Sequence, residues 1–256
     1  MHAAASGVPP SRAYGRALTY RSCVAFRDRL LATVEAMAPV LAIEGVLVAG
    51  SEVPNLAQHD LASTLVVSED LDLAIPIDRH AEVKAALGRV QHFRPSPHEP
   101  SVWLPLDETL IEVNFIGVDR ANRDPTSLSV LEDSELPLMV FGALSLLVPG
   151  RVVEIGEARA RLPRPAGLVL EKLLTERSGL KGERDLLVAL AMLAVSEPED
   201  LDEVVRRERS LPASLRAEIR RNLTVLALAG PTPGMPDPRT MRDRVAALAS
   251  RLETGE

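Results

Sequence analysis

The chain has 256 residues, 46% hydrophobic and 25% charged, the make-up of an ordinary globular protein with room for one large domain or two small ones. Its net charge of −7 gives no overall field favouring nucleic acid, which demotes RNA as a substrate without excluding a local basic groove. No apolar run reaches the roughly 18–20 residues of a membrane span, and the single Cys23 excludes an internal disulfide, so the expectation is a cytoplasmic protein with no membrane contact.

Residues 1–18 hold small residues and prolines without the charged-then-apolar layout of a secretion signal, and read as a flexible tail. Cys23, Phe26, Leu30, Leu31, Val34, Met37 and Leu41 recur at helical spacing and predict a helix over 20–41. The apolar run 43–49 predicts a buried strand, and Gly50 permits a tight turn and close backbone approach. Ser51 and Glu52 open a helix that tolerates Pro54 in its first turn. Residues 59–63 read as a loop and 65–67 as a short strand.

The next strand is predicted over 70–77, stopped by Pro76, with Asp70, Asp72 and Ala74 on one face and Leu71, Leu73 and Ile75 on the other. Asp78 is placed as the N-cap of a helix carrying Val83, Leu87 and Val90. Residues 92–100 form a loop, and 102–106 with 110–116 a hairpin turning at Asp107-Glu108. Within that hairpin Glu112 and Asn114 share one face, alternating with Ile111, Val113 and Phe115. Residues 118–133 are irregular, 136–147 begin a short helix, and 151–155 and 158–162 are an edge strand and a shorter one. After Pro163 and Pro165 the pattern is helical throughout: 167–177, 182–195, 198–209, 212–228 and, beyond a proline-rich break, 239–252.

The prediction is therefore an α+β fold in two parts: a tail over 1–18, a mixed sheet with flanking helices over 19–162, and a helical bundle over 163–256. The chemistry is concentrated in the first part. Two carboxylates side by side at a strand end repel each other, and a divalent cation is the usual way to stabilise such a pair. His59, His80, His92 and His98 lack metal-site spacing, and Trp103 reads as a packing residue.

An apolar strand ending in Gly50-Ser51, followed by a strand opening Asp70-Leu71-Asp72, resembles the DNA polymerase beta-type nucleotidyltransferase superfamily. The segment Glu171-Lys172-Leu173-Leu174, followed by Arg177, Lys181 and Arg184-Asp185-Leu186, resembles the Lys…Lys-Asp signature of AbiEii-like nucleotidyltransferases, the toxins of type IV toxin–antitoxin systems. The resemblance implies a nucleotidyltransferase fold. It implies that Gly50 and Ser51 hold an NTP triphosphate and that Asp70 and Asp72 bind Mg²⁺ or Mn²⁺. Lys172 then faces the phosphates, and Asp185 orients substrate or acts as a base. The implied acceptor is tRNA or protein, with an antitoxin as a possible partner.

The chain departs from this pattern in three places. The segment between Ser51 and Asp70 is longer than usual, and Arg184-Asp185 stands where the signature has Lys-Asp, keeping the charge but not its geometry. The third metal carboxylate has no direct match: Glu112 is acidic and well placed, and Asn114 on the same face is the other candidate position. Two rival readings stay open, a catalytically degenerate fold that binds nucleotide or a partner protein, and an enzyme acting on a small molecule such as an antibiotic.

Overall fold

The alternation in DLDLAIP and EVNFIGV makes two strands that each bury one face, and the sheet is assembled around their pairing. The computed structural model describes residues 20–58, 69–174, 180–231 and 238–254. The tail over 1–18, the loop over 59–63, the short strand over 65–67, Arg177 and the Lys181 side chain lie outside what is described.

In chain order come α1 (Tyr20–Ala36), α2 (Ala38–Leu41), β1 (Leu47–Ala49), α3 (Glu52–Ala57) and β2 (Asp70–Pro76). Then follow α4 (His80–Leu87), β3 (Phe93–Pro95), β4 (Val102–Pro105), β5 (Glu112–Val118), β6 (Leu128–Leu131) and β7 (Leu138–Phe141). A two-stranded ribbon of β8 (Pro149–Ile155) and β9 (Ala158–Pro163) leads into α5 (Pro165–Leu173), α6 (Leu180–Val195), α7 (Pro198–Arg209), α8 (Ala213–Leu228) and α9 (Arg242–Thr254).

The main sheet is mixed. β1 runs antiparallel to β2, β2 parallel to β5, and β5 antiparallel to β4, which continues to β3. β7 joins β5 in parallel at Gly117↔Val140 and carries β6 on its other side. Leu71, Leu73 and Ile75 of β2 and Val113 and Phe115 of β5 lie in a contiguous core that extends from Phe26 in α1 to Leu252 in α9. Buried Thr33 ties α1 to the sheet by accepting the Ile111 N–H at 2.9 Å, just before β5 begins.

Two contacts of the helices after Pro163 matter for the site, one to the sheet half and one between the helices themselves. Arg207 of α7 donates to the Leu146 carbonyl (3.2 Å), and Asn222 of α8 donates to the Leu173 carbonyl (2.7 Å). The second contact satisfies a carbonyl left open at the end of α5, next to Lys172. A reciprocal capping box, Glu197 with Asp200, opens α7. Among the described residues no helix is long and apolar enough to cross a membrane.

Several boundaries differ from the sequence reading, each for a local reason. The helix expected over 20–41 breaks at Met37, because Pro39 restarts it in the first turn of α2. The strand expected over 43–49 is only Leu47–Ala49: Gly45 turns the chain with φ +90°, and Arg120 donates to its carbonyl at 2.7 Å. The helix expected from 136 is instead β7 followed by a 3-10 turn at Gly142–Leu146. The expected loops at 92–100 and 118–133 contain β3 and β6. Asp78 lies inside a 3-10 turn, Ile77–Arg79, and makes no capping bond, while Val90 falls beyond α4. The strand expected as an edge at 151–155 pairs only with β9, outside the main sheet.

Central burial makes β2 sensitive to truncation. Leu73→Ala is expected to lower the unfolding free energy by about 2–5 kcal/mol, whereas Leu128→Ala, at a side chain 60% exposed, changes it by less than about 0.5. Urea melts followed by circular dichroism test this; equal effects would contradict the placement of β2 at the centre.

Candidate functional site

Parallel pairing of β2 with β5 places Asp70 opposite Glu112 and Asp72 opposite Asn114. The polar faces of both strands turn the same way, and across them Asn114 Nδ2 donates to Asp70 Oδ2 (2.8 Å) and to Asp72 Oδ1 (3.1 Å). Antiparallel pairing of β1 sets Ala49 opposite Asp72, so Gly50, one residue on, turns directly beside that carboxylate. Gly50 has φ +72°, and a Cβ there would collide with Asp72 Oδ2, so glycine is required for both reasons.

These residues form the floor of a cleft of about 1660 Å³. Gly50, Ser51, Asp70, Asp72, Glu112, Lys172 and Asp185, every candidate from the sequence, line it together. The opposite wall comes from α5 and α6. There Lys172 Nζ lies 3.2 Å from Glu171 Oε2 and 3.2 Å from Asp185 Oδ1, all three side chains being buried. Burial by itself lowers the lysine, but Glu171, Asp185 and Asp72 outweigh it and hold the ammonium firmly protonated. Of its three N–H donors two face these carboxylates, leaving one for a ligand.

Negative charge dominates the described lining, with eight carboxylates against Lys172, Arg184 and Arg221. Burial, and then Asp70, raise Asp72 above the usual carboxylate range against the pull of Asn114 and Lys172. Burial, followed by Asp70 and Glu99, also raises Glu112. The aspartate pair is therefore short of positive charge, and its donors are hard oxygens, a set that fits Mg²⁺ completed by phosphate and water. Among the described residues no three His, Cys, Asp or Glu side chains converge to hold a metal ion, so Glu112 does not close a three-carboxylate group with the pair.

The sequence reading gave no role to Glu52, Asn55 or Glu171. Glu52 is wholly buried behind Ser51, its Oε1 accepting from Ser51 Oγ (2.9 Å) and its Oε2 from Asn55 Nδ2 (2.8 Å). Burial first, then Asp70 and Asp72, push it up to about 8 despite those two bonds. No periodicity marks a glutamate in a six-residue helix as buried, whereas Glu171 adjoins Lys172 and was open to notice.

No model of a known protein family matches the chain, and no curated protein matches it in sequence. What the fold and site define is an α+β protein with a mixed sheet and an acidic cleft at the junction of that sheet with its helices.

Glu52 carries a pH signature. Its carboxyl binds a proton more tightly folded than unfolded, so its contribution to stability is full below pH 4.5 and is lost as pH rises through about 8. In metal-free buffer the thermal midpoint is expected to fall between about pH 6 and pH 9, and Glu52→Gln is expected to flatten that fall. An unchanged slope in the variant would assign the dependence to other groups.

Proposed function

We propose that the chain is a metal-dependent nucleotidyltransferase of the DNA polymerase beta-type superfamily, AbiEii-like in its helical half, transferring a nucleoside monophosphate from an NTP to an acceptor hydroxyl. One observation carries this reading: the Asp70–Asp72 pair, bridged by Asn114 and crowded by Gly50, faces Lys172 across one cleft.

In the reaction the acceptor oxygen bonds to the α-phosphorus, the bond from that phosphorus to the bridging oxygen breaks, pyrophosphate leaves with the electron pair, and the acceptor's hydroxyl proton passes to water. Asp70 and Asp72 would hold the divalent cation, which when bound supplies Lewis-acid stabilisation of charge on the phosphates. The Gly50-Ser51 turn holds the terminal phosphates with its backbone N–H groups, the Ser51 hydroxyl being given to Glu52. Lys172 donates its remaining N–H to a phosphate oxygen, and Asp185 and Glu171 fix the direction of that donor. The walls keep these groups oriented before substrate arrives, so positioning and electrostatics do most of the catalytic work. A volume of about 1660 Å³ exceeds the roughly 300–1,000 Å³ of a one-ligand pocket and leaves room for an acceptor beside the nucleotide. The excess of carboxylates in the lining favours a protein or small-molecule acceptor over tRNA.

Asn114, in place of a carboxylate beside the pair, also favours a second reading, a nucleotide-binding module without turnover. Incubation with each labelled NTP, Mg²⁺, and cell lysate or a panel of hydroxylated small molecules separates the two. The proposal expects label transfer that EDTA abolishes and that Asp70→Ala reduces at least about 100-fold. Transfer unaffected by Asp70→Ala contradicts it, and NTP binding without transfer in any mixture supports the binding module.

A further inference from the structure

We propose that Asn114 restricts this site to one divalent cation, held on the side of the aspartate pair that faces Gly50 and Ser51. The inference rests on the nucleotidyltransferase reading and deepens it by assigning the number and place of the ions. A two-cation centre, with ions about 3.5–4 Å apart, divides its work between the attacking and leaving oxygens, so the number bears directly on mechanism.

The amide orientation follows from its neighbours. Asn114 lies between two carboxylates and reaches both through Nδ2; the flipped amide would set its oxygen against two further acceptors. Its N–H groups occupy a lone pair on Asp70 Oδ2 and on Asp72 Oδ1 and present partial positive charge along that side of the pair. A cation there would meet N–H donors where a second centre needs a carboxylate. Glu112, the other acidic residue of β5, stands opposite Asp70 and not between the two aspartates, and among the described residues no three carboxylates form a metal-holding group with it.

The other two oxygens, Asp70 Oδ1 and Asp72 Oδ2, take no hydrogen bond from Asn114. Asp72 Oδ2 is the atom a Cβ on Gly50 would strike, so this oxygen faces the turn assigned to the triphosphate. The ligand-capable side of the pair is thus the leaving-group side. In the absence of a cation the same amide offsets the repulsion between the two aspartates, which lets them stand this close.

Mn²⁺ titration of the full chain, with free ion counted by electron paramagnetic resonance, tests this without requiring turnover. Wild type is expected to bind one Mn²⁺ with no spin coupling, Asn114→Asp two with a coupled spectrum, and Asp70→Asn/Asp72→Asn none. Asn114→Ala removes the donor without adding a carboxylate and is expected to bind one, so that two ions in this variant would overturn the need for a third carboxylate even if Asn114→Asp does not fold. Two ions in wild type overturn the inference while leaving the nucleotidyltransferase reading intact. One ion in a folded Asn114→Asp shows that Asn114 is not what sets the number and likewise overturns it. No Mn²⁺ in wild type removes the inference and the reading together.

Discussion

Parallel pairing between β2 and β5 sets Asp72 beside Asn114 and Asp70 beside Glu112, and every other feature of the cleft is placed relative to those pairs. A slip of one residue would turn both aspartates into the core and expose Leu71 and Leu73, so burial of the apolar face specifies the register strongly. The antiparallel arrival of β1 then delivers Gly50 against Asp72, where no side chain fits. The site is a consequence of how one face of the sheet is buried, with its polar groups confined to the face that remains.

Charge organises what the register places. Added to burial, the charge of Asp70 raises the proton affinity of Asp72, Glu52 and Glu112, and Asp72 adds to the effect on Glu52. The balancing lysine belongs to the helical half and is itself held by Glu171 and Asp185. Asn222 of α8 anchors the end of α5 that carries it, so the geometry of the cleft depends on packing among the helices after Pro163. A protein selected only for stability gains nothing from such a cluster, since buried like charges oppose folding. Under the proposed reading the repulsion is relieved when a cation and a triphosphate enter.

The sequence made much of this visible because period-2 alternation reports which face of a strand is buried. That alternation put Asp70 with Asp72 and Glu112 with Asn114, and α7 has the bounds its pattern predicted, Pro198–Arg209. The failures have physical causes too. A continuous apolar run such as 136–147 carries no period that separates a buried strand from a helix, and it became β7 with a 3-10 turn. The break at Met37 and the turn at Gly45 depend on single proline and glycine residues inside otherwise regular patterns. The role of Asn114 was invisible for a different reason, because hydrogen bonds across parallel strands depend on register, which pattern alone does not give. Glu52 was missed because its burial is a property of how α3 meets the sheet and α6, not of its own segment.

The central claim is that the aspartate pair is held at the expense of stability in order to bind a cation. The most direct measurement is the thermal midpoint of Asp70→Asn/Asp72→Asn against wild type in EDTA at about pH 8. The account predicts that neutralising the pair raises the midpoint by about 2–4 °C, the shift that roughly 1 kcal/mol of relieved repulsion produces in a chain of this size. A midpoint lower than wild type would contradict it, showing that the two carboxylates serve mainly to hold β2 and β5 together through Asn114.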